Sequence, residues 1–477
     1  MKAPFSSYLA GIEQPLRELI AILSKEYDYV SALATDSPAL QVMIRRGSQS
    51  VSTDSLTAER GIVIRVMNDG HYSEYSLNAF DPSDVEGTAK KIASALAAQN
   101  VILSSTGTSI YATGRIPDAA DEIFYESEVE QLPEEADLDA LLGQLNGLYA
   151  HVMEENPDLL NFMLRVSSTH INKMFLSMNK NLKQSYVIAE AYAISVGMAD
   201  GRVIPAYSAD SGLCGLEIAD RLSELAKQSL AKLADLKKAE PITPGEYEVI
   251  ANPEVAGVIA HEAFGHGMEM DMFVKNRALA KEKMGEKIAS SLVTMHEGAL
   301  CARNVTSYAF DDEGTRAGDV IEIDHGILKN GICDALSAVR LGVQPTGNGK
   351  RQNFEHKAYT RMTNTLFDSG DSTLDEMISS ISHGYLLEGI SSGMEDPKHW
   401  GIQCILTLGR EIRDGKLTGK IVSPIIMTGY VPDLLNSISM VSGDRGVYGS
   451  GYCGKGYKEF VKVSDGGPYL KMKARLG

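Results

Sequence analysis

The segment His261-Glu262-Ala263-Phe264-Gly265-His266 places two imidazoles and a carboxylate within six positions. Imidazole nitrogens bind zinc, and a carboxylate beside such an ion acts as general base for attack of water on a carbonyl. With ten histidines and 63 acidic residues in 477, chance supplies roughly 0.03 copies of H-E-x-x-x-H, so the pattern is informative. Its spacing is the difficulty. In the H-E-x-x-H zinc helix the histidines lie four apart, about 40° around the axis, whereas five apart is about 140°. For both rings to reach one ion, the helix must widen into a π-bulge or end between them. Gly265 and Gly267 flank His266, as a helix terminus or local unwinding requires.

A catalytic zinc site takes three protein ligands and leaves one position for water. Acidic candidates for the third ligand are Glu269 and Asp271; a distant one is Cys453, in the glycine-rich stretch Gly443–Tyr457. Thiolate is a good zinc ligand, although a lone cysteine is more often a small buried hydrophobe. The same stretch satisfies G-x-G-x-x-G and G-x-x-x-x-G-K, but Gly follows Lys455 where Mg²⁺ binding needs Ser or Thr, and Tyr457–Val463 reads as a strand. Asp311-Asp312-Glu313-Gly314 lacks the alternation of a calcium loop and reads as a surface turn. His325, His356, His383 and His399 are candidates to line a cleft, and one of them or Arg351 to stabilise an oxyanion. Met268, Met270 and Met272 read as core.

The elements that must position these residues are legible in outline. Asn252-Pro253 supplies a helix cap and a first-turn proline, and Val255, Val258 and Ile259 bury one side of the helix that follows. Upstream, residues 8–26 carry a 3.6-period apolar stripe. Leu40–Arg45 and Gly61–Met67 are strand-like, and Asp84–Ala98 is an amphipathic helix. A helix at Leu138–Met153, strands near Leu160–Ser167, Lys173–Met178 and Ser185–Met198, and a helix at Glu217–Lys237 repeat that order, which suggests an internal duplication. The run Lys238–Gly245, with two prolines and a glycine, reads as a linker. The expected fold is therefore α+β: an N-terminal α+β domain over 1–240, then a mainly β C-terminal domain over 241–477 carrying that single helix.

Composition narrows the function. The chain is 44% hydrophobic and 23% charged, with net charge −18 and pI about 5.1. A surface that acidic disfavours direct nucleic-acid or anionic-membrane binding. The five scattered cysteines form no disulfide framework. There is no signal-like N-terminus and no apolar run of spanning length, so a cytoplasmic protein is expected.

Taken together, His261–His266, DDEGT at Asp311–Thr315, TGNGKR at Thr346–Arg351, RMTNT at Arg361–Thr365 and GYCGK at Gly451–Lys455 resemble the TldD/PmbA family. These are zinc metallopeptidases once described as modulators of DNA gyrase, with one type bearing the H-E-x-x-x-H helix and a paralogous type lacking it. The resemblance covers the C-terminal half by motif and is to the TldD-like type; the stretch Gly389–Cys404 departs from the family's glycine-rich segment. It implies His261, His266 and Cys453 as zinc ligands and Glu262 as the catalytic carboxylate. It also implies a homodimer, or a heterodimer with the paralogue lacking the motif. The expected activity is hydrolysis of peptides or unfolded polypeptide by metal-activated water. The rival is a non-catalytic regulatory subunit acting by association, for instance on a topoisomerase.

Overall fold

A computed structural model describes residues 1–105, 112–456 and 459–477; Tyr457, at the end of the glycine-rich stretch and the start of its expected strand, lies outside them. The fold is α+β, built on two sheets. The first has nine strands: β1 (Tyr29–Ser37), β2 (Ala39–Arg45), β3 (Ser48–Ser52), β4 (Glu59–Asn68), β5 (His71–Leu77), β6 (Asp121–Glu126), β7 (Asn161–Ser177), β8 (Lys180–Ala199) and β9 (Arg202–Gly212). They run in the order β3-β2-β7-β1-β4-β5, and β8 pairs with β7, β6 and β9.

Local sequence explains most of this sheet. Asp69 and Gly70 take positive φ between β4 and β5, the conformation a two-residue hairpin needs. Helix α1 (Ser7–Leu23) is capped by the Ser6 hydroxyl and buries Leu9, Ile12, Leu16, Leu19, Ile20 and Leu23 along its apolar stripe. Burying each such side chain is worth about 1.5–3 kcal/mol. With α2 (Val85–Ser105) it packs on β1 and β4, while α3 (Leu138–Glu155) and α4 (Leu222–Leu236) pack on β7 and β8. The expected break between Leu160–Ser167 and Lys173–Met178 is absent, because β7 is continuous. Its polar middle is buried and satisfied: His170 bonds Glu134 at 2.7 Å and Ser185 at 2.8 Å, and Ser168 donates to the Ile188 carbonyl at 3.3 Å.

The second sheet has eleven strands between residues 245 and 476. Its strand Gly245–Ala251 pairs along its whole length with the final strand Ser464–Leu476. Helix α5 (Pro253–Val258) leaves the first of these directly. The expectation of a single helix in this half is corrected: five short helices follow, at Met270–Val274, Ala280–Lys283, Ala335–Leu341, Leu374–Ser379 and Val431–Asn436. None exceeds seven residues, too short for a stripe to stand out in sequence.

The surface turn expected at Asp311–Gly314 is also corrected. The turn exists, with Gly314 at φ +72°, but Asp311, Asp312 and Glu313 are 2%, 4% and 4% exposed. They meet cations of the first sheet: Glu313 pairs with Arg65 at 2.5 Å and Asp312 pairs with Lys173. Across the same seam Arg351 pairs with Glu74 at 3.0 Å. Acidic residues are solvent-facing by default, and only partners distant in sequence reverse that here. No described helix is long and apolar enough to cross a membrane.

Candidate metal centre

Asn252 caps α5 by accepting the Val255 N–H at 2.9 Å, with Pro253 in the first turn. Val255, Ala256 and Ile259 are fully buried in the second sheet's core, which fixes the helix. Beyond Val258 the helix widens into a π-helix over Ile259–Gly265, followed by a 3₁₀ turn at His266–Met268. The His266 N–H donates to the His261 carbonyl, an i to i+5 bond that stacks residues five apart on one face. The two rings lie 5.3 Å apart between centroids, their planes at 83°. The helix does end around Gly265 and Gly267, the π-helix at Gly265 and the 3₁₀ turn at Met268, but Gly265 itself keeps helical angles. Their reason is space: a Cβ would stand 2.2 Å from the Met362 sulfur at Gly265 and 2.7 Å from Glu395 Oε1 at Gly267.

Cys453 arrives on the short strand Tyr452–Lys455, where Arg361 Nη2 donates to its carbonyl at 2.6 Å. Its Sγ is 3.4 Å from His266 Nε2. Among the described residues, His261, His266 and Cys453 form the one group of three metal-ligating side chains whose ligand atoms all lie within 4.8 Å of one another. Zinc bonds of about 2.0 Å to nitrogen and 2.3 Å to sulfur at a tetrahedral angle put the two donors about 3.5 Å apart, so this donor set fits zinc. Burial opposes charge on all three, yet the facing imidazoles hold the Cys453 thiol well below its ordinary value, favouring the thiolate that binds metal.

The alternative ligands Glu269 and Asp271 do not join the cluster. Glu269, 1% exposed, accepts from His266 Nδ1 at 3.1 Å and is held by Lys455 at 3.1 Å. A carboxylate behind a ligand imidazole fixes the ring's orientation and tautomer. Asp271 bonds the same Lys455 at 2.7 Å. Nothing in one dimension separates these roles except that Glu269 lies three positions after His266. Glu262 stands beside the ligands, its Oε2 3.9 Å from His266 Nε2. It fits because position 393 is glycine, where a Cβ would fall 2.4 Å from Glu262 Cγ.

His261 and Glu262 open onto a cleft of about 720 Å³ between the two sheets. Its floor includes Met163, Arg165, Tyr192, Ile194 and Tyr207 of the first sheet, and Asp465 lies on the opposite wall. Burial, with Glu254 and Glu262 nearby, pushes Asp465 up to about 7 against the pull of His261. Sequence reasoning missed Asp465 and Arg165, whose types and neighbours are unremarkable in one dimension. Conversely, none of His325, His356, His383, His399 and Arg351 lines this cleft; Arg351 is engaged by Glu74 and the His356 carbonyl. Met268 is buried and Met270 and Met272 pack against the core, as expected.

Residues 244–474 match the PmbA/TldA metallopeptidase C-terminal domain. A metalloprotease of Methanothermobacter thermautotrophicus is 32% identical over 264 residues, 55% of this chain and 57% of that protein. A zinc metalloprotease TldD homolog of Saccharolobus solfataricus is 32% identical over 253 residues, 53% and 55% of the two chains. The chain thus spans little more than half the length of these relatives. A metalloprotease of Synechocystis is 26% identical over 475 residues, 98% of each. In fold, a candidate modulator of a DNA gyrase from Thermotoga maritima superposes with a TM-score of 0.76 at 14% identity, covering 98% of this chain and 100% of that one. Over residues 244–474, just under half of the chain, the protein is thus similar to the PmbA/TldD metallopeptidases.

Proposed function

We propose that the protein is a zinc-dependent metallopeptidase acting on peptides or unfolded polypeptide segments, with His261, His266 and Cys453 as ligands and Glu262 as general base. The observation that carries this reading is the convergence of two imidazoles and a thiol within 4.8 Å of one another beside a carboxylate, at the wall of a cleft. Zinc held there supplies Lewis acidity, lowering the pKa of water to about 7 and polarising a carbonyl oxygen. Glu262 accepts the proton of the attacking water and returns it to the departing amine nitrogen. Glu269 and Lys455 keep the His266 ring in place during both transfers. The cleft volume suits a few residues of extended chain and not a folded domain.

Zinc content and peptide hydrolysis of wild type, Glu262→Gln and Cys453→Ala test the reading together. Wild type should bind one zinc and cleave, Glu262→Gln should bind and not cleave, and Cys453→Ala should do neither. A zinc-free wild type, or full turnover in Glu262→Gln, sinks the enzyme and leaves the regulatory subunit. The same proposal includes the two domains 1–240 and 241–477, a cytoplasmic location, and assembly as a homodimer or with a motif-less paralogue. The five described cysteines are all free, which supports a reducing compartment.

A further inference from the structure

We infer that the cleft binds a peptide carboxylate and that Arg165 is its receptor; this rests on the peptidase reading and names its substrate class. Arg165 lies on β7 directly between Met43 of β2 and Tyr192 of β8. Its guanidinium carbon sits 4.0 Å from the centroid of the Tyr192 ring. No carboxylate lies within ion-pair distance of it among the described residues, and its Nε is buried without a hydrogen-bond partner. Other cations are matched: Arg65 of β4 by Glu74 and Glu313, Lys173 of β7 by Asp312, and Lys462 of the strand Glu459–Lys462 by Glu190. A partly buried guanidinium left without an anion carries an uncompensated desolvation cost, and its planar fork suits a carboxylate bidentately.

The surroundings give this guanidinium a position and an orientation in the cleft. Tyr192 is immobilised by its hydroxyl, which donates to the Ser450 carbonyl at 2.6 Å, so the platform under Arg165 is tied to the loop that leads to Cys453. Met43, Met163 and Ile194 offer apolar contact beside the charge; the cleft's other cation, Lys232, donates to the Tyr207 carbonyl at 3.0 Å and lies near Glu254, and Glu254, Glu262 and Asp465 on the facing wall disfavour an anion there. A peptide whose carboxylate rests on Arg165 therefore extends toward His261 and Glu262. Two groups share that chemistry, a free C-terminus and an Asp or Glu side chain.

The test compares zinc-loaded full-length wild type, Arg165→Met and Arg165→Lys on matched peptide pairs: a C-terminal acid against its amide, and an amidated peptide with internal Glu against Gln. Wild type should favour the carboxylate member of one pair by about tenfold in kcat/KM, mainly through KM. That pair identifies the source. Arg165→Met should bring the ratio to about one, and Arg165→Lys should keep part of it. Ratios near one in wild type for both pairs, or a preference surviving in Arg165→Met, overturn the inference. The same ratios read as Kd by fluorescence polarisation on Glu262→Gln need no turnover. A carboxylate preference there without hydrolysis by wild type counts against the peptidase reading alone; hydrolysis without preference counts against Arg165 alone.

Discussion

Two buried clusters of ionisable side chains are finished differently. In the seam between the sheets the three acidic side chains are satisfied within the chain, two by cations and one by backbone. Glu313 takes Arg65 and the Ala335 N–H at 2.7 Å, Asp312 takes Lys173 and the Arg351 N–H at 2.9 Å, and Asp311 accepts three backbone N–H groups. Burial raises Glu74, but Arg65 and Arg351 outweigh it and hold that carboxyl at about 2. At the centre, by contrast, two imidazoles and a thiol face one another with His261 Nδ1 left without a partner. Residue type does not separate the two clusters. Completion does: a closed network locks two sheets together, and an open one has valence to spend on an ion.

Substitutions can sharpen or break that contrast. The largest effect is expected at the open cluster, where Glu262→Gln should lower peptide hydrolysis by about 10²–10⁴-fold with zinc per chain, read by atomic emission, unchanged. In the closed cluster, Glu313→Ala should cost about 1–3 kcal/mol, because Arg65 keeps Glu74 but loses its second carboxylate and the buried Ala335 N–H loses its acceptor. Urea unfolding should show it, with zinc per folded chain unaffected; loss of zinc there would erase the distinction between the clusters. Glu269→Gln should weaken zinc about 10–100-fold in a chelator competition, because it loosens His266 without removing a ligand.

The smallest effect is a pH dependence at the seam's edge. Burial pushes Glu59 up to about 7. A carboxyl raised on folding contributes stability that is full below its ordinary value and lost as pH rises through about 7. Wild-type stability should therefore fall between pH 5 and 8 by at most about 1.4 kcal/mol per pH unit for this group. Glu59→Gln should flatten that slope in melts taken across the range.

Much of the centre is legible before folding. Asn252-Pro253 marks the start of α5, and the five-residue spacing of the histidines narrows the backbone to a π-bulge or a helix end, of which the π-helix is found. The turn at Asp69–Gly70, the α1 stripe and the β-rich second half follow from local propensity. The continuity of β7 does not, because the polar run Ser168–Asn172 reads as a break until its partners Glu134, Ser185 and Ile188 are in place.

What the sequence settled by itself are features with a range of a turn or two: where a helix is capped, which face is apolar, that two imidazoles five apart need a helix either widened or ended between them. The tertiary structure alone decided that Cys453, 187 positions from His266, completes the cluster, that Glu269 stands behind it and not in it, and that Asp311–Glu313 are interior. The reason is physical. Propensity and periodicity act through bonds and nearest neighbours, whereas the sign of a buried charge's contribution depends on which distant side chain folding brings against it.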